Sequence, residues 1–254
     1  VFLMCLTYLL TIFGTMLTRA GLISSVHAFA RSDIGIYFVG YLAVMIVLLV
    51  ALTIFRLPKL RADHRIDSLL SREFLFLLNN WMLLGIMIFV LVSTTWPLIS
   101  EWLRGQEVTV GPGFYNQWMV PFGLILLFLT GLGPLVAWRK ATASNLGRAL
   151  IAPLGAAALM FTLHLALGAA AGFPAVVETD EIYDTLTGRI LGSIQAVAPL
   201  FSSTICAFVL VGIGQEFWRG TKVRMKKGEG PFTALAQLVS RARRRYGGYL
   251  VHVG

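Results

Sequence analysis

Ile36-Tyr37-Phe38-Val39-Gly40-Tyr41-Leu42-Ala43-Val44-Met45-Ile46-Val47-Leu48-Leu49-Val50-Ala51-Leu52-Thr53-Ile54-Phe55 contains no charged residue. As a helix it is long enough to cross a bilayer core, for which about 20 apolar residues suffice. Similar runs occupy Val1–Leu17, Phe74–Leu98, Trp118–Trp138, Leu150–Ala171 and Ile190–Gly214, and a seventh begins at Tyr246 and stops at Gly254. The chain of 254 residues is 57% hydrophobic and 13% charged, against roughly 25% charged in soluble domains. In lipid, a helix satisfies its own backbone hydrogen bonds whereas an open sheet edge does not. The expected fold is therefore all-α, a polytopic transmembrane helical bundle of six complete spans and the start of a seventh, forming one domain over 1–254. Because it opens and closes inside apolar runs and lacks an initiator Met, the chain reads as an internal fragment of a longer protein. Val1–Leu17 has no basic n-region and no cleavage site, so it is not read as a signal peptide.

The spans leave loops at 18–35, 99–117 and 172–189 on one side and at 56–73, 139–149 and 215–245 on the other. The first set holds Arg19, Arg31, Arg104 and Arg189, and every other Lys and Arg belongs to the second set. Cytoplasmic loops carry the Lys/Arg excess. The second set is therefore expected in the cytoplasm and the first outside. The formal charge of +9 then reflects topology and contact with anionic lipid heads, not nucleic-acid binding. No Lys, Arg, Asp or Glu lies in the middle of a complete span, which argues against a proton or ion relay. Cys5 and Cys206 lie in apolar runs, and no C-x-x-C suggests a redox pair or zinc site.

Several shorter features carry local expectations. Ser71 before Arg72-Glu73-Phe74 suits a helix N-cap. Asn79-Asn80 falls inside a span and needs partners on neighbouring helices. Gly131-Leu132-Gly133-Pro134 follows no strand and lacks a Lys, so it reads as a kink or close helix contact, not a phosphate loop. Glu107–Val110 is a short alternating stretch running into a Gly/Pro turn. Glu178, Asp180, Glu181 and Asp184 lack calcium-loop spacing and read as a solvated acidic loop. Phe232, Leu235, Leu238 and Val239 recur at helical spacing before a basic cluster, as in an amphipathic helix on the inner leaflet.

The candidate chemistry lies in four histidines. Imidazole is a common metal ligand and a common axial ligand of haem iron, and without intramembrane acids haem is the cofactor this set serves most easily. His64 reads as a solvated loop residue and His164 as a packed polar residue. His27 is expected outside, in the break Thr18-Arg19-Ala20-Gly21-Leu22-Ile23-Ser24-Ser25-Val26-His27-Ala28-Phe29-Ala30. There Arg19 and Arg31 suit haem propionates and Phe29 suits a porphyrin face. On the residues alone, His27 is either a haem ligand or an interfacial polar residue. His252 is expected at the opposite face, so it and His27 would serve two different haems.

Gly14–Phe29, with Thr18-Arg19-Ala20-Gly21 and Ser24-Ser25-Val26-His27-Ala28-Phe29, resembles the signature of the CcmF-type cytochrome c haem lyases. Matching stretches follow in order at Ser71-Arg72-Glu73 with Asn79-Asn80, Val110-Gly111-Pro112 with Phe114–Asn116, Gly131–Leu135, and Arg244-Arg245-Tyr246-Gly247-Gly248-Tyr249-Leu250-Val251-His252. The resemblance covers nearly the whole chain. It implies a multi-pass protein of the bacterial inner membrane that promotes thioether attachment of haem to the C-x-x-C-H segment of apocytochrome c. It further implies that His27 ligates the substrate haem with Arg19 near a propionate, and that His252 ligates a permanent haem b. No residue acts as a catalytic group in the narrow sense. Implied partners are apocytochrome c, a haem chaperone, other maturation subunits and membrane lipid. The tryptophan-rich outer loop and partner histidines of that family are not among these residues, so the segment alone is expected to be inactive. Two other function classes stay open on the residues: a haem or small-molecule transporter, for which inverted repeats are not evident, and an assembly scaffold without its own catalysis.

Overall fold

The computed structural model describes residues 2–22, 33–60, 68–136, 143–179 and 185–253. Within them the chain forms helices α1 (Phe2–Arg19), α2 (Ile34–Arg56), α3 (Arg72–Arg104), α4 (Pro112–Leu135), α5 (Ala143–Leu167), α6 (Leu186–Ala196), α7 (Ala198–Met225), α8 (Pro231–Arg241) and α9 (Arg243–Val251), with a 3-10 turn at Leu57–Lys59. No strand occurs among the described residues. Six helices, α1 to α5 and α7, are long and apolar enough to cross a membrane. The protein is an all-α, multi-pass membrane protein.

Local chemistry sets the helix ends. Ser71 is the N-cap of α3: its Oγ accepts from the Phe74 N–H at 3.1 Å and donates to the Ser68 carbonyl at 2.6 Å. Pro112 and Pro231 occupy the first positions of α4 and α8, where the missing N–H costs nothing and φ is already helical. Arg56, at the end of α2, is followed by Pro58 in the 3-10 turn. Glu107–Val110 lies in neither a helix nor a strand, and the Val108 N–H donates to Ser100 Oγ at 2.8 Å.

The apolar run Ile190–Gly214, expected as one helix, is divided. Pro199 lies in the first turn of α7 and has no N–H with which to continue the ladder of α6. The end of α6 is satisfied from elsewhere: the Val177 N–H donates to the Ala196 carbonyl at 2.9 Å. The start of α6 is capped by Thr185, whose Oγ1 accepts from the Gly188 N–H at 3.1 Å. The sixth membrane-length helix is therefore α7, displaced toward the C-terminus, and residues 215–245 are mostly helical.

The chain divides into two compact units. The first, 1–65 with 88–110, pairs α1 with α2 over Met16, Leu17 and Leu42, with Phe13, Phe38 and Leu98 packed around them. The Tyr8 and Tyr41 hydroxyls share a hydrogen bond of 2.6 Å. The second, 66–87 with 111–254, is built around α7, which packs against α4, α5 and α8. Leu135, Phe208, Val209 and Ile213 form its core.

Gly131 of α4 faces Phe208 and Val209 of α7 so closely that a Cβ there would come within 2.8 Å of the Phe208 ring and 2.9 Å of the Val209 methyl. Between lipid-embedded helices such small residues let packing proceed without help from the hydrophobic effect. The expected close helix contact at Gly131 is present, whereas a Cβ at Gly133 would meet nothing within 4 Å. Gly131→Leu is expected to cost about 1–3 kcal/mol through overpacking and to lower the melting temperature of the purified intact protein. Gly133→Ala should leave it unchanged, and equal effects of the two would remove the α4–α7 contact as the cause.

Candidate functional site

Three short motif stretches of the second unit meet around one cavity of about 550 Å³, within the range of about 300–1,000 Å³ that small-molecule sites occupy. Helix α3 supplies Arg72, Leu75, Phe76 and Asn79, α4 supplies Leu129, Thr130, Gly133 and Pro134, and the α9 segment supplies Arg244, Arg245, Gly248, Tyr249 and His252. Far apart in sequence, Ser71–Asn80, Gly131–Leu135 and Arg244–His252 thus form one wall system. Gly133 and Gly248 line it without filling it, since a Cβ on either would meet nothing within 4 Å.

Arg72 fixes the junction of α3 and α4. Its Nη2 donates to the Pro134 carbonyl at 2.8 Å and its Nε to the Val136 carbonyl at 3.1 Å. These carbonyls end α4, where no helical N–H remains to pair them and where a cation meets the negative end of the helix dipole. Arg72 is thereby oriented along the cavity wall by backbone it also satisfies.

Arg245 fixes α9 to α7. Its Nη2 donates to Glu216 Oε2 at 2.5 Å, its Nε reaches the Tyr249 hydroxyl at 3.3 Å, and its guanidinium lies 5.6 Å from the Tyr246 ring centroid. Partial burial disfavours the Arg245 charge, but the Tyr249 hydroxyl and the Glu216 carboxylate outweigh it and hold its pKa above the ordinary guanidinium value. Glu216 is buried and also meets Arg219 Nη1 at 3.5 Å. Tyr246, Tyr249 and Phe217 stack in edge-on and tilted pairs beside this pair. Arg245 is therefore neutralised within the fold. Arg244, exposed at the cavity rim, forms no ion pair with an acid among the described residues.

His252, exposed, follows the last turn of α9, with its N–H donating to the Tyr249 carbonyl at 3.2 Å, and it is one of the residues that line the cavity. One imidazole, mostly apolar walls and an unneutralised guanidinium at the rim form a donor set that fits a flat, apolar, carboxylate-bearing ligand whose metal takes nitrogen. Asn79 faces the same cavity, whereas Asn80 is exposed.

His164 has a different role. It is 7% exposed, its Nδ1 pairs with Ser203 Oγ at 2.5 Å and its Nε2 with the Phe173 carbonyl at 3.0 Å. Since a carbonyl only accepts, Nε2 carries a proton. Both ring nitrogens are engaged, so the ring ties α5 to α7 and to the turn at Phe173. The turn leaves no room at Gly168, where a Cβ would lie 2.4 Å from the His164 carbonyl oxygen. A second, mostly apolar cavity of about 690 Å³ lies against this ring.

His27 and Arg31 fall outside the described residues, as do His64 and Asp180–Asp184. Arg19 is the last residue of α1, in the first unit. Sequence reasoning singled out His252 but assigned no role to Arg72, Glu216 or Tyr249. The signal for Arg72 and Tyr249 was their presence in motif stretches, while Glu216 gave none, because only folding pairs it with Arg245. Glu216→Gln is expected to speed tryptic cleavage at Arg243–Arg245 in the intact protein and to cost about 1 kcal/mol, the half-exposed Arg245 keeping the value low. An unchanged cleavage rate would remove the pair as the anchor of α9.

No family model matches the chain, and no solved structure does. Among curated proteins it is 36% identical over 145 residues to the cytochrome c-type biogenesis protein CcmF of Haemophilus influenzae, covering 55% of this chain and 22% of that protein. It is 36% identical over 156 residues to the cytochrome c-type biogenesis protein CycK of Rhizobium meliloti, covering 60% and 22%. It is 32% identical over 196 residues to the cytochrome c-type biogenesis protein ccl1 of Rhodobacter capsulatus, covering 71% and 30%. The matched segment spans less than a third of each of these relatives.

Proposed function

Because this chain matches a segment of the CcmF-type cytochrome c-type biogenesis proteins, we propose that it is part of the membrane subunit of a cytochrome c haem lyase. That subunit holds haem at the extracytoplasmic face of the bacterial inner membrane and promotes its attachment to apocytochrome c. The observation that carries the reading is the meeting of three motif stretches around the His252 cavity, taken with the sequence match.

In this reading the two histidines serve two haems. His252 would hold a resident haem b, with Leu75, Phe76 and Leu129 as apolar lining and Arg244 available to a carboxylate. When bound, that haem would supply a redox centre through which an external reductant could keep the substrate iron reduced. Arg72 and Arg245 hold α3, α4 and α9 in the positions that shape the cavity, and neither spends its charge on the ligand. Gly133 and Gly248 keep the walls thin enough for a flat ring.

His27 is an axial ligand of the substrate haem, and Arg19 pairs with one of its propionates. The reaction is addition of two thiols of a C-x-x-C-H segment across the two vinyl groups of the substrate. Each sulfur bonds one vinyl carbon and each thiol proton ends on the other. The protein contributes positioning and cofactor control more than acid–base chemistry. Apocytochrome c, a haem chaperone and other maturation subunits are its partners.

Absorption spectra of the intact protein, oxidised and reduced, test the assignment. His252→Ala is expected to lose a low-spin b-type signal, whereas His27→Ala should keep it and fail to mature cytochrome c. If neither change alters haem content or maturation, the protein is a transporter or scaffold whose histidines are incidental. Arg19→Ala is expected to weaken substrate haem capture and lower cytochrome c yield severalfold; a normal yield would count against the propionate pairing.

A further inference from the structure

Helix α8 is apolar on two adjoining faces, and the protein covers one of them. Ala234 is fully buried, and Leu238 lies against Gly220 of α7, where a Cβ would come within 2.7 Å of its methyl. At about 100° per residue these two share a face turned toward α7. Phe232 and Leu235 point away from it, at 88% and 40% exposure, with Ala236 exposed and Val239 half-buried beside them. The single stripe of Phe232, Leu235, Leu238 and Val239 expected from spacing is thus split between protein and surroundings.

The position of α8 is fixed. It doubles back along the last turns of α7, held by Arg224, which pairs with both carboxylate oxygens of Glu229 and with Gln237 Oε1. Gly220, the residue of closest approach, lies in the last, basic turns of a helix of membrane length, beside Arg219, Lys222 and Arg224. The charge around it is one-sided. Glu216 and Glu229 are the only acids in residues 215–245, and Arg245, Arg219 and Arg224 neutralise them. Lys222, Lys226, Lys227, Arg241 and Arg243 are left exposed and outside the His252 cavity.

We propose that α8 is an interfacial anchor whose Phe232–Leu235 face inserts among the acyl chains of the adjacent leaflet, while the surrounding Lys and Arg bind anionic lipid headgroups. An apolar face flanked by cations is the pattern that partitions into the headgroup boundary of anionic membranes. An uncharged soluble partner would leave the five cations without counter-charge, which an anionic leaflet supplies alongside an apolar phase for Phe232 and Leu235. The anchor also braces α9, because Tyr246 packs on the same Gly220 contact.

The test places single cysteines at Phe232, Leu235 and Ser240 of the intact protein, in a background lacking other reactive cysteines, each carrying an environment-sensitive fluorophore. The protein is reconstituted in phosphatidylcholine vesicles with or without phosphatidylglycerol. With phosphatidylglycerol, labels at 232 and 235 should emit at shorter wavelength and be quenched severalfold more by nitroxide-bearing lipid than the label at 240. Omitting phosphatidylglycerol, raising salt, or combining Lys222→Gln, Lys226→Gln, Lys227→Gln and Arg241→Gln should reduce that quenching. Water-like emission at 232 and 235 in phosphatidylglycerol vesicles would overturn the proposal, as would shielding without quenching by lipid, which would mean that protein covers the face. Quenching indifferent to lipid charge and salt would overturn the headgroup part.

Discussion

The crossing of α4 and α7 at Gly131 is the contact on which the second unit depends. In lipid, two helices gain nothing from hiding apolar surface from water, so their association rests on close packing and hydrogen bonds. Gly131 removes the side chain that would hold the helices apart, and the Phe208 ring and Val209 fill the space. Gly212 faces the same crossing with more room, since a Cβ there would meet the Gly131 carbonyl at 3.5 Å and Leu135 at 3.6 Å, ordinary contact distances. Because the contact lies at backbone distance, it fixes the end of α4, and with it the carbonyls of Pro134 and Val136 that Arg72 binds.

From that crossing, α7 carries position in both directions. Toward its N-terminus Ser203 meets the His164 ring and ties in α5. Toward its C-terminus Glu216 receives Arg245, Gly220 receives Leu238 and Tyr246, and Arg224 receives the turn before α8. A buried carboxylate is costly unless paired, so the Glu216–Arg245 pair specifies where α9 can lie. His252 reaches its cavity only through this chain of contacts. Its chemistry is local, but its placement depends on a glycine and a carboxylate on other helices.

Charge is divided with similar economy. Arg72 is spent on helix-end carbonyls and Arg245 on Glu216, so two of the three guanidiniums around the cavity are structural. Arg244 alone remains for a carboxylate ligand. The same logic leaves the five other exposed cations around α8, Lys222, Lys226, Lys227, Arg241 and Arg243, unpaired with acids among the described residues.

The sequence by itself determined the membrane-spanning, all-helical class, because uncharged runs of membrane length admit no other backbone that satisfies its hydrogen bonds in lipid. It also determined the Ser71 cap and the helix at Phe232–Ser240, each a local signal readable from residue type and spacing, and it narrowed Gly131–Pro134 to a kink or a close helix contact, between which only the packing at Gly131 decides. The His252 motif was legible as a motif, not as a cavity. Tertiary structure alone decided that Ser71–Asn80, Gly131–Leu135 and Arg244–His252 share one wall, that Glu216 serves Arg245, that Pro199 divides the sixth apolar run, and that α8 turns only half of its apolar stripe toward the protein. Pairings of residues distant in the chain leave no trace in periodicity, and which face of a helix meets a neighbour depends on where that neighbour packs.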